Sequence, residues 1–189
     1  MDKRLIIGVS GASGAPLAVE ILRRLHSRGD IETHLIITRG AEMTLKQECD
    51  MSVNDLRELA SVYHDVDELG ASIASGSFRT MGMIVVPCSM KTVAGIVSGY
   101  SDNLLLRAAD VCMKEGRKLL LEARESPLST VHLRNLCEAS RLGATIVPPM
   151  LTYYIRPESV EACTSYAADR ILSQFGLSES EYEWEGMNE

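Results

Sequence analysis

Short apolar runs alternate along this chain with stretches whose apolar residues recur every three to four positions. Residues 5–9 (LIIGV) read as a buried strand. Residues 14–29 then read as a helix: Ala18, Ile21, Leu22 and Leu25 follow i, i+3, i+4 and i+7, and Gly29 stops it. Residues 33–38 (THLIIT) give a second strand, and a helix follows over 41–49. Ser52 with Asp55 forms a capping box that opens a short helix to Ala60. Residues 62–77 have no clear period and read as a surface excursion. Residues 81–87 (MGMIVVP) are a strongly apolar strand, with Ser89 placed to cap a helix over 90–98. A helix over 104–114, a strand over 118–123 (KLLLEA) and a helix opening near Pro127 come next. The last of these carries Leu133, Leu136 and Cys137 on one face and ends at Gly143. Residues 144–147 form a short strand. Val160, Cys163, Ala167 and Ile171 then make the stripe of a final long helix.

This alternation predicts an α/β protein: a Rossmann-like (flavodoxin-like), mostly parallel sheet with helices on both faces. Residues 1–177 form one domain, and 178–189 form an acidic tail poor in apolar residues. Ligands of such sheets bind at the carboxyl ends of the strands, near the point where strand order reverses. Every motif considered below falls at such a strand end.

Composition narrows the function. The 189 residues suit one domain of ordinary globular make-up, 46% hydrophobic and 24% charged. Nineteen Lys and Arg against 26 Asp and Glu leave a net charge of −7, which argues against nucleic-acid binding. A small anion held by a few local donors remains compatible. The five cysteines (49, 88, 112, 137 and 163) form no CxxC pair, which disfavours a zinc site or disulfide framework and suits a reducing, cytoplasmic setting. The apolar stretch near the N-terminus is too short for a signal segment or a membrane span.

The chemistry concentrates in four places. Gly8, Gly11 and Gly14 space the first strand-to-helix turn as GxxGxxG, not the dinucleotide GxGxxG. Small residues there let the backbone approach a phosphate at a helix N-terminus. Thr38 and Arg39, not an acidic residue, follow the second strand, which disfavours NAD. Residues 87–92 (PCSMKT) offer a second cradle, in which Cys88 reads as a small buried hydrophobe rather than a nucleophile. Arg124 and Glu125 follow the 118–123 strand as an anion clamp and a proton-handling carboxylate. Arg107, Lys114, Tyr154 and Arg170 together suit a phosphate cage. His26, His34, His64 and His132 have no metal-ligand spacing and read as structural.

These motifs resemble the UbiX/Pad-type flavin prenyltransferases over essentially the whole chain. The resemblance rests on SGASGA at 10–15, PCSMKT at 87–92, RAADV at 107–111, RESPL at 124–128, and Tyr154 with Arg170. It implies a dodecamer that binds FMN and prenylates it with dimethylallyl phosphate or, in some members, the pyrophosphate. The product, prenyl-FMN, serves a UbiD-type decarboxylase. Carried over, flavin contacts fall on Gly11, Ala12, Ser13, Thr38, Ser89, Met90, Lys91, Thr92 and Arg124. The prenyl-phosphate site falls on Lys114, Arg124, Tyr154 and Arg170. Ser13, Glu48, Arg107, Lys114 and Glu125 stand near the reacting centre as catalytic residues, without metal. Several of these come from neighbouring subunits in the family, and Trp184 matches a C-terminal tryptophan that covers the site.

Two departures from the family pattern are visible: KEGR at 114–117, where many members read KERR, and 151–153, where members carry a Phe-containing stretch. Two alternatives stay open at this point. One is an FMN-dependent cysteine-type decarboxylase, but the PxMNxxMW segment of that group is missing: Pro148-Pro149-Met150-Leu151 stands in its place. The other is a non-catalytic flavin-carrier subunit of a decarboxylase.

Overall fold

Six parallel strands lie in the order β3-β2-β1-β4-β5-β6 in a computed structural model, which describes residues 3–178 and Gly186. The strands are β1 (Arg4–Val9), β2 (Glu32–Ile37), β3 (Val62–His64), β4 (Gly82–Cys88), β5 (Lys118–Ala123) and β6 (Thr145–Ile146). The helices are α1 (Ala15–Arg28), α2 (Arg39–Cys49), α3 (Val53–Arg57), α4 (Met90–Ser98), α5 (Leu104–Lys114), α6 (Thr130–Arg141) and α7 (Val160–Ser173). This is the doubly wound order, and the sheet reverses direction between β1 and β4.

The strands are apolar runs because both faces are covered. All seven residues of β4 are buried. Side chains alternate between two cores, as strand geometry requires. Leu5, Ile7 and Val9 join Ile84, Val86 and Leu120 beneath α1, α2 and α7. Ile6, Met83, Val85, Leu119 and Leu121 face α4 and α5 instead. On the first side, Arg24 of α1 reaches Asp169 (2.6 Å) and Ser165 (2.7 Å) of α7. That bridge sets the face of α7 that carries Tyr166 and Arg170.

Most predicted elements are present within a residue or two, including the Ser52–Asp55 capping box and the Ser89 cap. Three differences stand out. The 62–77 excursion contains β3, an edge strand of only three residues, and a 3-10 turn at Ser72–Ala74. Three residues are too few to show a period. The helix expected near Pro127 starts at Thr130, where the Ser129 hydroxyl accepts the His132 N–H and the His132 ring accepts the Ser129 N–H. The stripes of the last two helices are only partly covered. Leu133 and Val160 are exposed, while Ala139, Ala168, Ile171 and Leu172 carry the burial. Of the four histidines, His34 and His64 stack in the interior, with Nδ1 and Nε2 2.9 Å apart, and His132 caps α6, while His26 is exposed on α1.

The strand ends at the reversal are tied by Ser10, which is buried. Its hydroxyl donates to the Pro87 carbonyl (2.9 Å) and accepts from the Ser89 N–H (2.8 Å), while its own N–H donates to the same carbonyl. Replacing Ser10 by Ala leaves the part-buried Ser89 N–H without its partner and loosens the two strand ends. We expect a loss of about 1–3 kcal/mol in urea unfolding followed by circular dichroism. An unchanged midpoint and slope would show that the tie is dispensable.

Candidate active site

Beyond the Ser10 tie, the loops after β1, β2 and β4 open a crevice of about 440 Å³. Gly11, Thr38, Ser89, Lys91 and Thr92 line it, five of the nine residues expected at the flavin. The crevice exists because two loops touch. A Cβ at Gly11 would lie 2.9 Å from the backbone of Gly40, so only glycine fits that approach.

Three helices start at the crevice, each capped by a side chain. Thr38 Oγ1 accepts the Ala41 N–H (3.3 Å) on α2, Ser89 Oγ accepts the Thr92 N–H (3.3 Å) on α4, and Asn103 Oδ1 accepts the Leu106 N–H (3.0 Å) on α5. The remaining N–H groups and the helix dipoles make this a place for an anion, with Lys91 adding a full charge. Arg39 is already paired with Asp67 at 2.8 Å. The volume, the closely approached backbone and the donor set fit a flavin mononucleotide. Ala12 and Ser13 belong to the same turn but do not line the cavity. Met90 is buried in the core under α4, so it offers the crevice its backbone only.

The first turn differs from the expectation of a phosphate at α1. Glu48, at the end of α2, reaches across and accepts the N–H groups of Gly14 and Ala15, each at 2.9 Å from Oε2. The N-terminus of α1 is therefore occupied by the protein's own carboxylate. That directs an external anion to α2 and α4. It also gives Glu48 a task besides the proton handling expected of it.

A second cavity, of about 200 Å³, lies past the end of β5, between α1, α7 and the loop after β6. Tyr154 and Arg170 both line it, as expected of a shared site. The Tyr154 hydroxyl sits 2.6 Å from that of Tyr166. The other expected partners are elsewhere in the protomer. Arg124 and Glu125 lie on the exposed turn after β5, where Glu125 accepts the Ser126 N–H (3.0 Å). Arg107 donates to the Ala74 carbonyl (3.2 Å) and pairs with Asp110 (2.7 Å). Lys114 stands beside Gly76 at the far end of α5, about 16 Å along the helix from its crevice end. One protomer thus brings Tyr154 and Arg170 together but not Lys114. Trp184 lies outside the described residues.

Residues 1–169 match the family model named Flavoprotein. The chain is 49% identical over 184 residues to a probable UbiX-like flavin prenyltransferase of Sedimentibacter hydroxybenzoicus, covering 97% of each chain. The chain belongs to the UbiX-like flavin prenyltransferases. A dodecameric FMN-dependent UbiX-like decarboxylase from Escherichia coli O157:H7 has the same fold, with a TM-score of 0.94 and 48% identity over 97% of this chain and all of that one. AnUbiX (PadA1), solved in complex with FMN and dimethylallyl pyrophosphate, gives a TM-score of 0.91 at 44% identity over 98% of this chain and all of that one.

One residue of this flavin prenyltransferase escaped the sequence reading. Glu122 sits in β5, is 1% exposed, and lines the Tyr154–Arg170 cavity. Neither of its carboxyl oxygens meets a partner at full hydrogen-bond geometry. Burial pushes its pKa up to about 8, against the weaker pull of Arg124 and of the Cys88 N–H. A glutamate inside the apolar run LLLEA was the available signal. The neighbouring Cys88 thiol is fully buried, and burial together with the Glu122 charge pushes its pKa up, so it is no thiolate nucleophile. Among the described residues no group of three or more His, Cys, Asp or Glu is placed to hold a metal.

Glu122 also sets a pH dependence of stability. The folded protein keeps a proton that the unfolded chain releases near the ordinary value of 4.5, so stability falls as pH rises from there to about 8. Replacing Glu122 by Leu removes this loss along with a buried unpaired carboxyl. The melting temperature of the variant is expected to exceed that of the wild type, by a margin that widens across this window. A margin independent of pH would contradict a buried, protonated Glu122.

Proposed function

We propose that this protein joins the five-carbon group of dimethylallyl phosphate to reduced FMN, first at N5 and then at C6, and releases prenyl-FMN and phosphate. What carries the reading is the pair of cavities. A crevice with three helix N-termini suits a flavin nucleotide, and a separate cavity with Tyr154 and Arg170 suits a second, phosphorylated ligand. The relative solved with both FMN and a prenyl pyrophosphate supports the same pairing. A bare flavin carrier accounts for the crevice but not for the second cavity, and a cysteine-type decarboxylase is disfavoured by the absence of its PxMNxxMW segment.

The chain's own residues do the following. The Thr38 loop and the Ser89–Thr92 turn hold the FMN phosphate, with Lys91 as counter-charge. Gly11, Ala12 and Ser13 lie against the flavin. Reduced FMN supplies the nucleophilic positions, and the donor's C1–O bond breaks as phosphate leaves. Arg124, Tyr154, Arg170 and Lys114 stabilise the charge that builds on the departing phosphate, with no metal required. Arg107, whose contact with Ala74 orients that face of α5, supports Lys114. The apolar side of α4 keeps water from the allyl group. Glu125 handles the two protons of ring closure: one is added to the prenyl double bond, so that the tertiary cation forms, and one is removed from flavin C6 as the second bond closes. Glu48, which also anchors the first turn, is the second carboxylate near that carbon.

Lys114 and Arg107 reach the Tyr154–Arg170 cavity from a neighbouring subunit in a homo-dodecamer, the assembly of the E. coli O157:H7 relative. Exposed Met150 (73%), Tyr153 (77%) and Val160 (76%), which border that cavity or begin α7, support burial against another copy. We place the protein in the cytoplasm, where its five free cysteines stay reduced. Among the described residues no helix is long and apolar enough to cross a membrane. The recipient of prenyl-FMN is a UbiD-type decarboxylase.

Anaerobic incubation with reduced FMN and dimethylallyl phosphate, followed by mass analysis of the flavin, tests the activity. The flavin is expected to gain one C5 unit; bound but unaltered FMN with either prenyl donor would refute it. Glu125→Gln is expected to bind FMN normally and form product about 10²-fold more slowly or worse. Wild-type turnover in that variant would remove Glu125 from the mechanism. Light scattering is expected to give about 250 kDa for twelve chains of 20.7 kDa. A stable monomer with full activity would overturn the shared site.

A further inference from the structure

Among the described residues Glu122 is the buried carboxyl, and the mechanism above has no use for it. It lines the Tyr154–Arg170 cavity from beneath the first turn. A Cβ at Gly14 would lie 4.0 Å from Glu122 Oε2 and 3.3 Å from Pro87, so the carboxyl lies directly beneath the first turn. Its side chain also forms part of the wall of the Tyr154–Arg170 cavity. A carboxyl with two unpartnered oxygens in such a place costs stability, and the cost is offset when a ligand supplies the missing partner.

We propose that Glu122 is a further phosphate-contacting residue of this cavity, its carboxyl donating a hydrogen bond to the ligand that Tyr154 and Arg170 hold. The inference rests on the assignment of that cavity to the prenyl phosphate. Both carboxyl oxygens are covered in the protomer, so the hydrogen bond requires the carboxyl to turn about its last, soft torsion toward the cavity. As an acid, Glu122 donates one hydrogen bond. As a carboxylate, it repels the phosphate. Donor affinity therefore falls as Glu122 ionises.

The surroundings make that titration readable. Facing Glu122 are Arg170 and Tyr166 from α7, Tyr154 from the loop after β6, Arg124 from the β5 turn and Cys88 from β4. Glu48 lies across the first turn, hydrogen-bonded to Gly14 and Ala15. A phosphate monoester completes its second ionisation near pH 6. Burial carries Cys88 above the window. Burial places the change of Glu122's own charge near pH 8, and Glu122→Gln isolates its part in any pH dependence of binding.

The test is calorimetric binding of dimethylallyl phosphate to the assembled protein loaded with oxidised FMN, which cannot react, from pH 7 to about 9.5. Wild-type affinity is expected to fall about tenfold per pH unit above about pH 8. Glu122→Gln keeps a donor without a charge and is expected to bind with no such fall. Glu122→Leu is expected to bind about tenfold or more weakly at pH 7. A Glu122→Gln protein that titrates like the wild type, or a Glu122→Leu protein that binds as well, overturns the proposal. Arg170→Ala separates the two claims. If it leaves binding intact, the cavity is not the donor site. If it weakens binding while the Glu122 variants behave as wild type, only the role of Glu122 falls. Should Glu122→Leu fail to assemble, infrared spectroscopy of the wild type gives the answer, with Glu122→Gln as the reference. The protonated-carboxyl band of Glu122 is expected to shift when the donor binds, and an unmoved band overturns the proposal.

Discussion

The hydroxyl of Ser10 holds the point on which the rest of the structure turns. A parallel sheet wound in both directions leaves a gap where its first and fourth strands part. Ser10 closes the base of that gap by donating to Pro87 and accepting from Ser89. The gap above stays open as the crevice. Its width follows from the close approach of Gly11 and Gly40, and its charge from the helices that begin at Thr38, Ser89 and Asn103. Fold and site share one cause: helices placed on opposite faces of the sheet must start on either side of the reversal.

Charge is arranged against the average. The chain carries a net −7, yet its crevice and second cavity gather helix N-termini, Lys91 and Arg170. Two buried or half-buried carboxyls refine this picture. Glu48 takes up the N–H groups of α1 and leaves α2 and α4 as the ends open to an external anion. Glu122, kept protonated by burial, adds a carboxyl to the second cavity without adding a negative charge at neutral pH. Both residues shape which anions are welcome where.

Much of this was legible in the chain, for physical reasons. Buried parallel strands must be apolar runs, so five of the six strands were visible. β3 was not, because three half-polar residues at a sheet edge carry no period. Ser89, Lys91 and Thr92 stood out because a strand end followed by a helix cap is an anion site, whereas Thr38 was assigned to the flavin only through the family resemblance. The separation of Lys114 from Tyr154 and Arg170 was hidden, since spacing along a chain does not reveal which face of a helix meets which neighbour. Glu48 on the α1 terminus was hidden for the same reason: its partners lie more than thirty residues away. Glu122 was written in LLLEA, but a single polar residue within an apolar run is easily taken for the exposed end of a strand.

The central claim is that the reversal crevice, not the N-terminus of α1, receives the flavin phosphate. A crystal structure of the assembled protein with FMN tests it most directly. The phosphate is expected on the Thr38 loop and the Ser89–Thr92 turn, with Glu48 still bonded to Gly14 and Ala15. A phosphate on the N–H groups of Gly14 and Ala15, with Glu48 displaced, would contradict it.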